Sequence, residues 1–298
     1  TSPTFEEFGN SRFVIAKRLQ AEDDRVITGI IDPTTDFPQG YTRTSQEVLL
    51  PSFLAAYKGK NGANQSLSAF PKIPLPAWNI NYNGIGKMDR FKNLFSNFTL
   101  KHAYSGTYTV GGITNNLDYD PNEAPVDGES FQTKERITQA TIIESLSPLL
   151  GLDATFKNGW NVKVEYKQSR NVNFFISAYS ITETKSSEFV VGAGYRSDDV
   201  KLPIKIKGRR IYLTNDFNFH LDVSVRNDKT IVRKLDQPLE EPTNGNRIIL
   251  INPTIDYMLN EKLNLNLFYM RSMSKPATTI SFPTALTEFG VKLRYTIQ

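Results

Sequence analysis

The stretch Glu288-Phe-Gly-Val-Lys-Leu-Arg-Tyr-Thr-Ile-Gln298 alternates apolar and polar residues without a break. In an extended chain successive side chains point to opposite faces, so Phe289, Val291, Leu293, Tyr295 and Ile297 share one side. Glu288, Gly290, Lys292, Arg294, Thr296 and Gln298 share the other. A strand with two such unlike faces must be handed to a neighbour, and in a closed barrel every strand has two. The stretch therefore predicts the last strand of a barrel.

The same period recurs upstream. Trp78, Ile80 and Tyr82 alternate with asparagines, and Phe98, Leu100, His102 and Tyr104 lead into Tyr108 and Val110. Ile142, Leu146, Leu150, Leu152, Ala154 and Phe156 are all even-numbered, as are Trp160, Val162, Val164, Tyr166, Val172 and Phe174. The odd side from Asn161 to Asn173, with Lys163, Glu165, Lys167 and Asn171, is wholly polar. Opposed residues share a face, so these parities match only if Phe156 opposes Trp160 across a three-residue loop. That predicts a type I turn with Gly159 left-handed. Leu259 and Leu263 repeat the arithmetic around residues 260–262. Phe189 to Tyr195 and Phe217 to Val225 supply further alternating strands, for about nine in all. Short turns at 157–159 and 260–262, with long loops at 114–135, 229–246 and 272–285, match the asymmetry of short periplasmic turns and longer outside loops. Glu144 and Arg170 fall on the apolar parity; the register places Arg170 opposite Leu146 and diagonal to Glu144, as an ion pair above the hydrocarbon.

Bulk numbers agree. Of 298 residues only 39% are hydrophobic while 11% are aromatic, which suits a wall one residue thick, apolar outside and wet inside. No run of about 18 apolar residues is present, so a transmembrane helix is excluded whereas alternating strands are not. Cysteine is absent, which removes disulfides, thiolate metal sites and Cys nucleophiles and fits an exported protein. The net charge of +4 is spread singly along strands, so nucleic acid is not an expected partner. The first residues carry no signal region, so export implies processing or a longer parent chain.

Residues 1–77 differ. Arg12–Leu19 and Ser45–Tyr57 carry helical spacing, with Val48, Leu49, Phe53, Ala56 and Tyr57 on one face and Pro51 near the first turn or at a kink. Phe70–Trp78 is too rich in proline for helix or central strand and should run extended. Met88–Phe95 reads as a short helical connector, and residues 114–131 as an acidic, solvated loop. The fold class is thus all-β, an antiparallel transmembrane barrel segment over 78–298 preceded by a helical and proline-rich extramembrane segment over 1–77.

Chemistry is sparse. His102 and His220 lie on different faces without metal spacing, and no phosphate loop, nucleophile elbow or carboxylate dyad occurs. Asp118–Glu123 has acidic residues at alternate positions, but Pro121 spoils a calcium loop. No catalytic, cofactor or metal residues are expected, and the chain is not read as an enzyme.

Several stretches carry a resemblance. The order Glu288, Gly290, Leu293, Tyr295 resembles the closing-strand signal of bacterial outer-membrane barrels. SQEVLLPSFLAAYKGK (45–60), FPKIPLPAW (70–78), SPLLGLDATFKNGW (147–160), Glu188–Arg196 and the terminal TEFGVKLRYTIQ together resemble the C-terminal end of the SprA (Sov) family, the outer-membrane translocon of the type IX secretion system, linked to gliding motility. The resemblance implies the C-terminal portion of a very large barrel in the bacterial outer membrane that exports folded cargo proteins. It also implies as partners the upstream remainder of the barrel, a smaller barrel that accepts cargo, a periplasmic plug protein and the lipid bilayer. Lys163, Glu165, Lys167, Asn171, Lys292 and Arg294 would then face the lumen. Two other readings share part of this pattern: the closing part of a TonB-dependent-type uptake barrel, and a soluble β-rich surface adhesin.

Overall fold

The computed structural model describes residues 2–71, 73–206, 209–235, 240–260, 262–277 and 281–296, without the side chains at 199, 201–215 and 240–241. Ile297 and Gln298, assigned above to the last strand, lie outside the described residues.

Among the described residues nine antiparallel strands form one sheet in sequence order. They are β1 (Ala77–Tyr82), β2 (Phe95–Asn115), β3 (Glu135–Phe156), β4 (Trp160–Phe175), β5 (Ser180–Ile206), β6 (Arg209–Lys234), β7 (Glu240–Asn260), β8 (Leu263–Pro276) and β9 (Thr284–Tyr295). The sheet is all-β and up-and-down as expected, but it is open: β1 pairs only with β2 and β9 only with β8. Within these residues the last strand therefore has one neighbour, not two.

Both hairpin registers follow the parity argument. Ala154 opposes Val162 and Leu152 opposes Val164, the register in which Phe156 meets Trp160, and Gly159 has φ 88°. A β-carbon at Gly159 would run into the Arg196 carbonyl, so glycine is required there for space as well as conformation. In the second hairpin Tyr257 opposes Leu265 as predicted, while Asn260 rather than Leu259 closes onto Leu263 through a bulge; Glu261 lies outside the described residues. Further along β3 the register departs from expectation. Between Leu146 and Leu150 two extra residues of β3 bulge out, so that Glu144, not Leu146, opposes Arg170. Pro148 sits in that bulge, and a residue without an N–H cannot serve a central ladder.

The connections differ as well. Residues 229–234 and 240–246 are strand, with Arg233 opposite Glu240, and strands also take up 272–276 and 284–285 of the expected 272–285 loop. Strands that continue past the apolar region lose their alternation and read as loop. Met88–Phe95 is a pair of turns after a 3₁₀ turn at Ile85–Lys87, not a regular helix. β5 and β6 also continue beyond the turn end as a paired extension, Val200 opposite Asn215 to Ile206 opposite Arg209, which the sequence reading did not assign.

The N-terminal segment holds two helices, α1 (Pro3–Glu22) and α2 (Gln46–Tyr57). Proline at the first position of α1 is pre-set for the helix, which starts nine residues before Arg12. Every residue of α2 from Val48 to Tyr57 is buried, so the helix is enclosed on all sides rather than on one face, with Pro51 inside it. One side meets Phe8 of α1; another meets Ile137, Ala140, Ile142, Val172, Phe174 and Ile181 of the sheet. Phe174 is the hub, with ring centres 5.3 Å from Phe53 and 5.8 Å from Phe8. Fully burying a side chain of this kind stabilises by about 1.5–3 kcal/mol. The two parts of the chain thus share one dry core.

The connection at 116–134 is a clamp rather than a free solvated loop. Gly128 N–H donates to Asp32 (2.6 Å), Phe131 N–H donates to the Gly40 carbonyl (3.0 Å), and Gln46 exchanges two hydrogen bonds with the backbone at Glu135 and Ile137. Gly40 is left-handed (φ 81°), and a β-carbon there would overlap the Phe131 ring. Beside it Asp23 accepts from Arg25 and from the Tyr41 hydroxyl (2.5 Å). Burial opposes the Asp23 charge, but those hydrogen bonds outweigh it and hold the carboxyl down at about 2.

Candidate functional site: a two-faced sheet and a buried ionic cluster

The register carries one apolar face across all nine strands. One row of directly opposed residues runs Tyr82, Leu100, Leu152, Val164, Val191, Val223, Ile251 from β1 to β7. A second runs Trp160, Tyr195, Phe219, Ile255, Leu267, Val291 from β4 to β9. Aromatic pairs lie toward both borders, with ring centres 4.7 Å apart for Phe95–Phe156, 5.0 Å for Trp160–Tyr195 and 4.5 Å for Trp78–Tyr104. None of Val162, Val164, Phe219, Leu265 or Leu293 is buried, and Leu293 is 65% exposed.

The opposite face is polar. Asp153, Lys163, Gly192, Asp222 and Asn252 form one row, and Asn218, Asp256, Asn266 and Lys292 another. Glu165 sits nearly buried between Lys163 (3.1 Å) and Lys167 (3.2 Å), and Lys167 reaches Glu188. Asn171, Lys292 and Arg294 share this face but stand apart from that network. The separation is incomplete, since Val190, Leu250, Phe268 and Leu286 lie on the polar side.

Of the closing-strand residues, Leu293 and Tyr295 oppose Leu265 and Leu263 on the apolar face, while Glu288 and Gly290 oppose Met270 and Phe268 on the polar one. Gly290 has a local cause: a β-carbon would overlap the Phe268 ring, which also takes Lys292 over its face at 4.5 Å. An aromatic side chain covering a strand glycine restores the contact surface that glycine lacks. Gly290→Ala should cost about 1–3 kcal/mol through overpacking, and Phe268→Leu on that background should recover most of it. Urea titration of the folded chain reads both.

Where the helices meet the sheet, the apolar face turns ionic. Glu183, 2% exposed, accepts from Arg170 Nε (2.8 Å) and Arg233 Nη1 (2.7 Å), with Lys185 Nζ at 3.3 Å. Glu144 lies 3.6 Å from Arg170 and accepts from the Tyr104 hydroxyl at 3.0 Å. The helices close the cluster, since Arg170 lies over the Tyr57 ring and Arg233 over Phe5. Both charges singled out on the apolar parity are therefore paired, directly rather than diagonally. Glu183, Lys185 and Arg233 were missed; the only local signal is that the odd parity of Phe189 and Val191 continues into Lys185 and Glu183.

His102 Nδ1 contacts the Leu149 carbonyl (2.6 Å) on the apolar face, and His220 contacts Asp222 (2.8 Å) on the polar face. Among the described residues no helix is long and apolar enough to cross a membrane, which leaves strands untouched. Comparison with family models and with curated proteins returned no match. The site thus defines a class by its geometry alone: a nine-stranded antiparallel sheet with an apolar and a polar face, capped at one end by helices.

Proposed function

We propose that this chain is part of the wall of a protein-conducting channel in the bacterial outer membrane, of the type IX secretion translocon kind that the motifs at 45–60, 70–78 and 147–160 resemble. The observation that carries the membrane reading is the exposed apolar face nine strands wide, with aromatic pairs toward its borders and charge opposite. Two unpaired edges are consistent with a wall completed by further strands, and ion-paired Lys163, Glu165 and Lys167 suit an aqueous lumen. The helix-covered end lies about 12 residues, or roughly 40 Å, along β4 from Trp160; at a strand tilt of about 40° that is roughly 30 Å along the membrane normal, past an apolar band of about 25 Å. There the helices, not lipid, cover the apolar side chains.

The transport reading is tested in cells. The chain has no cysteine, so a single Cys at Asn266 or at Leu267 can be tagged with a bulky maleimide polymer. Tagging at Asn266 should stop export of folded cargo, which accumulates in the periplasm, while tagging at Leu267 should spare it. Uninterrupted export with impaired uptake of a small nutrient would instead favour the uptake-barrel reading.

A further inference from the structure

Lys and Arg are scattered in the sequence, but the register gathers some of them at the border of the apolar face. Arg247 of β7 and Lys275 of β8 are directly opposed, on the same face as Ile249, Met273 and Ala285 and just beyond them toward the loop end. Arg271 lies on that face opposite Ile251. Two like charges directly opposed in a sheet repel. Among the described residues neither Arg247 nor Lys275 forms an ion pair with a carboxylate, whereas Arg170, Lys167 and Arg226 all do. The pair flanks an open groove of about 510 Å³ whose other walls are Ile249, Met273, Pro283 and Ala285, with Ser274 and Thr284 between them.

Largely apolar walls that end in two adjacent cations make a receptor for an amphiphile with a compact anionic head. A phosphate monoester carries close to two negative charges near neutral pH, matching the two cations, and presents planar oxygen pairs to a guanidinium. A phosphodiester carries one. Resting on the membrane reading above, in which the loop end faces outward, we propose that Arg247 and Lys275 hold the phosphate monoester of a glycolipid in the outer leaflet. The acyl chains of that lipid lie along Ile249, Met273 and Ala285.

The test is native mass spectrometry of the full chain released from detergent micelles and titrated with monophosphoryl lipid A. The wild type should bind it at least tenfold more tightly than phosphatidylglycerol or dephosphorylated lipid A. Arg247→Gln combined with Lys275→Gln should lose at least tenfold, while Lys292→Gln with Arg294→Gln, exposed on the other face, should bind as wild type does. Both cations are exposed, so the double variant should keep its circular dichroism spectrum. Equal binding by the Arg247/Lys275 double variant, or equal binding of phosphatidylglycerol, overturns the lipid assignment and leaves the membrane reading standing. A chain that is monodisperse in buffer without detergent overturns both.

Discussion

Glu183→Gln should lower the stability of the helix-capped end by about 3–5 kcal/mol, the cost of breaking a buried ion pair from one side. Glu183 is the carboxylate that Arg170 and Arg233 share, and both it and Arg233 are almost fully enclosed. Neutralising it removes the carboxylate that the two guanidiniums share beneath α1 and α2. The expected result is release of the N-terminal segment: proteolysis between residues 23 and 45 accelerates at least a hundredfold, while the turn-end hairpins stay protected from hydrogen exchange. Glu144→Gln is the control, because its side chain is 30% exposed and 3.6 Å from Arg170. It should cost no more than about 1 kcal/mol. Equal effects of the two variants would show that the cluster does not hold the helices to the sheet.

The second large effect separates the two faces of one strand. Leu267→Arg puts a charge in the middle of the apolar row, between Ile255 and Val291, and should cost about 2–4 kcal/mol in a bilayer. Asn266→Arg, one residue away, points to the other side, where Asp256 is already its hydrogen-bond partner at 2.8 Å. It should change stability by no more than about 0.5 kcal/mol. Urea-dependent folding into lipid vesicles gives both numbers, and equal costs would remove the basis for calling either face lipid-facing.

The faces were legible from the sequence because strand period is a local property: each of Trp160, Val162 and Val164 reports its side by its own number. The turn at 157–159 was legible for the same reason, since only one loop length brings like parities together. The bulge in β3 was not. Two inserted residues leave parity unchanged, so the hydrophobic pattern from Ile142 to Phe156 looks continuous and only Pro148 hints at a break. The strands from 229 to 246 were read as loop because, beyond the apolar region, neither face has a uniform solvent to select for. The ionic cluster was least legible, as Glu144, Arg170, Glu183 and Arg233 come from four strands and acquire meaning only once the register is set and the helices cover them. Closure is not seen in the observed fold, whose nine strands form an open sheet. Alternation in β9 says that the strand has two unlike faces, not how many neighbours it has.

The central claim is that hydrocarbon touches every second side chain and water the others. Single cysteines at consecutive positions 289 to 294, in a chain with none of its own, can carry an environment-sensitive fluorophore in vesicles of brominated lipid. The account predicts quenching at 289, 291 and 293 with little at 290, 292 and 294. Uniform quenching, or none at any of the six, would contradict it.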